Sequence, residues 1–126
     1  ALPAAIVALS PALDLASEGA SHHTVDDPFI TRELMGFFNA MYVPGGDVRS
    51  PTVTPFYSAN LQGLPPVQLQ VGSRERLRDD AVTMAARLKA AGVQADCTVW
   101  DGMVHCWQLF APALDRGRGL HLPAGH

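Results

Sequence analysis

The chain has 126 residues, 48% hydrophobic and 17% charged, with a formal net charge of −3 at neutral pH. That is the size and balance of one globular domain or a piece of one, and it lacks the basic excess that neutralises nucleic-acid phosphates or anionic lipid. No apolar run reaches the roughly eighteen residues of a spanning helix, and the two cysteines, Cys97 and Cys106, have neither the density of a disulfide scaffold nor zinc-site spacing. Nucleic acid and a membrane span are therefore not expected, and free thiols in a reducing, cytoplasmic compartment are.

In chain order, the first segment, ALPAAIVALSPAL, is apolar but has no Met, cationic flank or small-residue cleavage signature. It reads as a strand cut from a longer chain and not as a signal peptide. Residues 4–9 (AAIVAL), stopped by Ser10-Pro11, have the pattern of a strand covered on both faces. Residues 14–66 are polar and broken by Pro28, Pro44, Gly45-Gly46, Pro51, Pro55 and Pro65-Pro66. One helix is predicted there, over 31–42, with Thr31 as N-cap and Leu34, Phe37, Phe38 and Met41 at helical spacing on a core-facing side.

After Pro66 the pattern sharpens. VQLQVG (67–72) reads as a strand, DDAVTMAARLKAAG (79–92) as an amphipathic helix closed by Gly92, and VQADCTVW (93–100) as a second strand. A βαβ unit of this length joins parallel strands, so the loops after Val71 and Trp100 leave the same edge of the sheet. Open α/β sheets place their ligands at that edge. The helix begun by CWQLFAPAL is broken by Gly117, Gly119, Pro123 and Gly125, so residues 1–116 are expected to be the structured part and 117–126 an irregular tail.

The two loops on that edge carry GSRERLRDD and DGMVHCW, and hence Glu75 and His105. A histidine among apolar residues is usually a partly buried side chain with one hydrogen bond. A carboxylate within reach changes that, because it holds the ring tautomer and stabilises the imidazolium that a proton-accepting base becomes. Asp79 and Asp80 are the rival acids, although two carboxylates opening a helix are accounted for by its N-terminal dipole. His22-His23 lie in a polar loop, read as solvated and without a role. No metal site is expected, since Cys97, His105 and Cys106 are too few and poorly spaced, and adjacent His105 and Cys106 would struggle to face one ion. Cys106 is set aside as a nucleophile on similar grounds of geometry. No cofactor is expected.

Four stretches together resemble a known family: LSPALDL (9–15), the SP of VRSPTVTP (48–55), GLPPVQLQVGSRERLRDDA (63–81) and LKAAGVQADCTVWDGMVHCW (88–107). They are similar to the C-terminal half of hormone-sensitive-lipase-type carboxylesterases. The resemblance implies an α/β class with a partial α/β-hydrolase fold, the C-terminal parallel strands with flanking helices. It implies that Glu75 is the catalytic acid, opening an acid-x-Leu-x-Asp-(Asp/Glu) motif that runs here to Asp80, and that the Gly-Met-x-His turn ending at His105 delivers the base. Two departures stand out: the family more often has Asp at the acid position, and an aromatic where Ala12 follows Pro11.

The family's nucleophile lies upstream, in a Gly-x-Ser-x-Gly elbow after a His-Gly-Gly-Gly oxyanion loop. Neither motif occurs in these 126 residues. Gly72-Ser73 lacks the second glycine and Ser10 has none, so Ser73 and Ser10 read as turn and strand-end serines. The resemblance thus implies a fragment of an esterase for short-chain carboxylic esters, carrying acid and base without the serine, and inactive by itself. Phe29, Phe37, Phe38 and Tyr42 would help line its acyl or alcohol pocket, though large aromatics are more often plain core. The competing reading is a non-catalytic half-domain that binds a ligand or partner chain. Its first strand would then lie at an apolar sheet edge that self-associates or pairs with the missing N-terminal half.

Overall fold

The computed structural model describes residues 1–110. Its elements are β1 (Ile6–Leu9), a single turn α1 (Ser21–Thr24), α2 (Arg32–Tyr42), β2 (Val67–Gly72), α3 (Arg78–Ala90) and β3 (Ala95–Trp100), with 3-10 turns at Pro55–Tyr57 and Trp107–Phe110. The strands form one parallel sheet in the order β1-β2-β3, pairing Ile6 with Val67 and Val67 with Ala95. The expected strand-helix-strand unit is thus present, with both strand ends on one edge.

Being central, β2 is buried on both faces. Leu69 and Val71 are sealed, and so is Gln70, whose amide oxygen accepts from Gln108 Nε2 at 3.2 Å. Against β2 and β3 packs the one face of α3 that its spacing makes apolar, Ala81, Met84, Ala85 and Leu88. Two alanines in that stripe let helix and sheet approach closely. Each fully buried Leu, Val or Met contributes about 1.5–3 kcal/mol, so most of the described core's stability lies here.

The end of α3 is set by Gly92 at φ +81, a backbone shape that a side chain would strain. There Gly92 N–H bonds to the Lys89 carbonyl and Val93 N–H to that of Leu88, which satisfies carbonyls the helix leaves open. The turn therefore fixes where β3 starts.

Two expectations about the first half need correction. Among the described residues β1 is not covered on both faces: β2 is its one strand neighbour, and Val7 is 60% exposed. In α2 the cap is as expected, with Thr31 Oγ1 accepting from Leu34 N–H at 3.1 Å. The helix, however, does not face a core. Met35 alone is buried, while Phe37, Phe38, Met41 and Tyr42 are about half exposed or more, because no described element covers that side.

Among the described residues no helix is long and apolar enough to cross a membrane. The tail at 117–126, and the continuation of the helix expected from CWQLFAPAL, lie outside the described residues.

Candidate active site

The ends of β2 and β3 are drawn together by Gly72. A β-carbon there would collide with the carbonyl of Met103, so only hydrogen fits. Across this contact Arg74 N–H bonds to the Met103 carbonyl, Ser73 N–H to that of Trp100, and Gly102 N–H to Ser73 Oγ. Gly102, at φ +73, reverses the chain in the Asp101-Gly102 turn. The loops that leave the two strands are thus laced side by side, which brings a residue three positions past Gly72 to one three positions past Gly102.

Those residues are Glu75 and His105. Glu75 Oε2 lies 3.0 Å from His105 Nδ1, the carboxylate fully buried and the imidazole 26% exposed. Glu75 Oε1 accepts from Gly72 N–H at 2.6 Å and from Ser10 Oγ at 2.7 Å. Oε1 is thus held by two donors, and the tautomer with its proton on Nδ1 is the one that donates to Oε2 and leaves Nε2 its lone pair.

Cys106 requires a correction. Its Sγ lies 3.5 Å from His105 Nε2, so adjacency in sequence does not keep the two apart as the spacing suggested. What argues against a thiolate is the setting. Burial pushes the thiol above its ordinary value, the Ser10 hydroxyl pulls it down less strongly, and the charge of Glu75 adds to the rise. Cys97 sits on β3, packed against the core away from this cluster.

The rival acids are engaged elsewhere. Asp79 Oδ2 accepts from Ser21 N–H at 2.8 Å, and Asp80 Oδ2 accepts from Leu13 and Asp14 N–H at 2.8 and 2.9 Å. Asp80 Oδ1 meets His22 Nε2 at 2.6 Å, both side chains 1% exposed. His22 is therefore not solvated: the loop folds over the start of α3 and carries the ring inside. Asp14, His22 and Asp80 also bring ligand-type atoms within 4.8 Å of one another. Their oxygens are already occupied, Asp14 by the N–H groups of Ala16, Glu18 and Gly19 and by the Tyr57 hydroxyl. The cluster fastens residues 13–22 to α3, and an ion would have to displace those bonds.

A cavity of about 860 Å³ opens beside His105. Leu15, Ile30, Met35, Phe38, Met41 and Tyr42 give it an apolar lining, with Ser10 and His105 at its polar side. Of the four aromatics singled out in the sequence, Phe38 and Tyr42 line it. Phe29 instead stacks on Phe110 with centroids 6.2 Å apart, and Phe37 leans on Phe38 at 5.9 Å. The sequence reading gave no site role to Ser10, taken as a strand-end serine although it lies in the LSPALDL stretch, nor to Leu15 and Met35, which read as ordinary apolar positions.

Known proteins share this arrangement of chain. A family model described as the α/β hydrolase fold matches residues 1–109. An acetyl-hydrolase of Streptomyces hygroscopicus is 40% identical over 119 residues, 93% of this chain and 40% of that protein. Carboxylesterase NlhH of Mycobacterium tuberculosis is 38% identical over 104 residues, 75% of this chain and 33% of that protein. The crystal structure of an esterase from the bacterial hormone-sensitive lipase family superposes with a TM-score of 0.90 at 46% identity, over 95% of this chain and 41% of that one. The chain thus spans about two-fifths or less of the length of these relatives.

Proposed function

Because this chain belongs to the α/β-hydrolase fold family, in its hormone-sensitive-lipase-type branch, we propose that it is the acid-and-base portion of a serine carboxylesterase. In this reading His105 Nε2 takes the proton of a serine supplied by the rest of the enzyme as that serine attacks the ester carbonyl. The imidazolium then returns the proton to the departing alcohol, and a water activated the same way releases the acid. Glu75 holds Nδ1 in place and stabilises the positive ring. The observation that carries the reading is the 3.0 Å contact between Glu75 Oε2 and His105 Nδ1 at the mouth of an apolar cavity.

The nucleophile and oxyanion donors come from sequence outside these 126 residues, so the chain alone does not run the acyl-enzyme cycle. Phe38 and Tyr42, with Met35 and Leu15, would contact the acyl or alcohol group of a short-chain carboxylic ester. The free thiols Cys97 and Cys106 support a reducing, cytoplasmic setting.

The test is a chimera in which this chain replaces the matching segment of the Streptomyces hygroscopicus acetyl-hydrolase. Turnover of p-nitrophenyl acetate, lost on Glu75→Ala or His105→Ala, is the expected result. A folded chimera without turnover, or with turnover indifferent to both substitutions, defeats the reading. The open edge of β1, with Val7 exposed, favours a second one: a half-domain that pairs with another chain through that edge. Sedimentation of the chain as a compact monomer would count against it.

A further inference from the structure

We propose that Ser10 is a positioning residue that orients acid and base together through one oxygen. The inference rests on reading Glu75 and His105 as the catalytic pair. Ser10 Oγ donates its proton to Glu75 Oε1 at 2.7 Å and accepts the Cys106 N–H at 3.0 Å. It thereby ties the end of β1 to the carboxylate 65 residues on and to the backbone 96 residues on, directly after His105.

The backbone shows that this placement is not incidental. Ser10 has φ +47 and Cys106 has φ +50, both in the left-handed region that side chains disfavour. Ser17 is the one other described residue besides glycine with this feature. Strain of that kind persists where surrounding contacts over-determine it. Here the two strained residues are the donor and acceptor of a single bond, and Ser10, whose hydroxyl accepts it, is 5% exposed. Ser73, a turn serine on the same edge, makes the contrast: half-buried, it accepts from the Gly102 N–H and leaves Glu75 untouched.

The physical consequence is a two-sided clamp. Glu75 Oε1 is held by Gly72 N–H from its own loop and by the hydroxyl from β1, so the carboxylate cannot turn and Oε2 meets Nδ1 in one orientation. Because the same oxygen pins Cys106 N–H, the chain beside His105 cannot roll either. Removing the hydroxyl leaves a buried N–H without its acceptor and frees both halves of the pair at once.

Two variants separate the hydroxyl from the backbone. Ser10→Ala deletes it and keeps the strain, whereas Ser10→Gly deletes it and relieves the strain, so the second stays folded if the first does not. In the 126-residue chain with 15N-labelled histidine, the Nδ1–H proton of His105 is expected as a protected downfield resonance that either variant broadens or loses. In the chimera kcat should fall roughly ten- to a hundredfold, as for a lost bond to a charged group, with KM within about twofold. A folded Ser10→Gly chain that keeps the resonance unshifted overturns the proposal, and so does unfolding of both variants, which would make Ser10 a stability residue. A resonance that responds in a chimera without esterase activity would retain the positioning role and reject the esterase reading.

Discussion

Two carboxylate–imidazole pairs lie among the described residues and differ in one respect that matters. Asp80 and His22 meet at 2.6 Å with both side chains sealed, and the oxygens of Asp80 are otherwise filled by backbone N–H groups. Glu75 and His105 meet at 3.0 Å with the acid sealed but the ring a quarter exposed and lining a cavity. The first pair has chemistry without access and serves as a fastener. The second has the same chemistry with one ring nitrogen near an opening, which is what proton transfer to a substrate requires.

The sharpest way to break this contrast is to remove each histidine or acid in the chimera and compare activity with stability. His105→Ala should lower kcat about ten-thousandfold, with a smaller stability loss of about 1–3 kcal/mol from the sealed Glu75 oxygen it leaves unpartnered. Asp80→Ala should do the reverse, costing about 3–5 kcal/mol of stability by stranding a buried imidazole and two backbone N–H groups, with turnover per folded molecule retained. If Asp80→Ala instead abolished kcat in a stable protein, Asp80 would be the acid and the contrast would collapse.

Gly72→Ala comes next. The methyl group must displace the Met103 carbonyl, so about 1–3 kcal/mol should be lost and the Glu75–His105 contact loosened, visible in the same histidine resonance. The smallest effect is alkaline. Burial first, then the hydrogen bond to Glu18, raise the Tyr57 hydroxyl above its ordinary 10.0. A group whose folded value is raised stabilises fully below the unfolded value, and that stability is lost as pH rises beyond it. Thermal midpoints should therefore fall above pH 10, and Tyr57→Phe should flatten that fall.

Local pattern made one of these pairs legible and hid the other. Strand, helix and strand from 67 to 100 follow from periodicity and the closing Gly92, and parallel pairing then puts the residues after each strand on a common edge. That logic brings His105 to one edge together with Glu75, Asp79 and Asp80, and the family resemblance is what singles out Glu75 among the three acids. The His22–Asp80 pair spans 58 residues through a loop without periodicity, and nothing in SHHT distinguishes a sealed imidazole from a wet one. Ser10 was hidden likewise, because its partners lie 65 and 96 positions away. The exposure of α2 was illegible for a different reason: spacing shows that a helix has an apolar face, but not whether an element exists to cover it.

The collision that any side chain at residue 72 would meet has a bearing on how such a chain can diversify. The contact between Glu75 and His105 rests on a spot where any added side chain must shift the Met103 carbonyl, whereas the cavity wall contributed by Phe38, Met41 and Tyr42 belongs to a helix in which Met35 alone is buried. Substitutions along that helix can therefore reshape the receptacle residue by residue without touching the spot on which the Glu75–His105 contact depends.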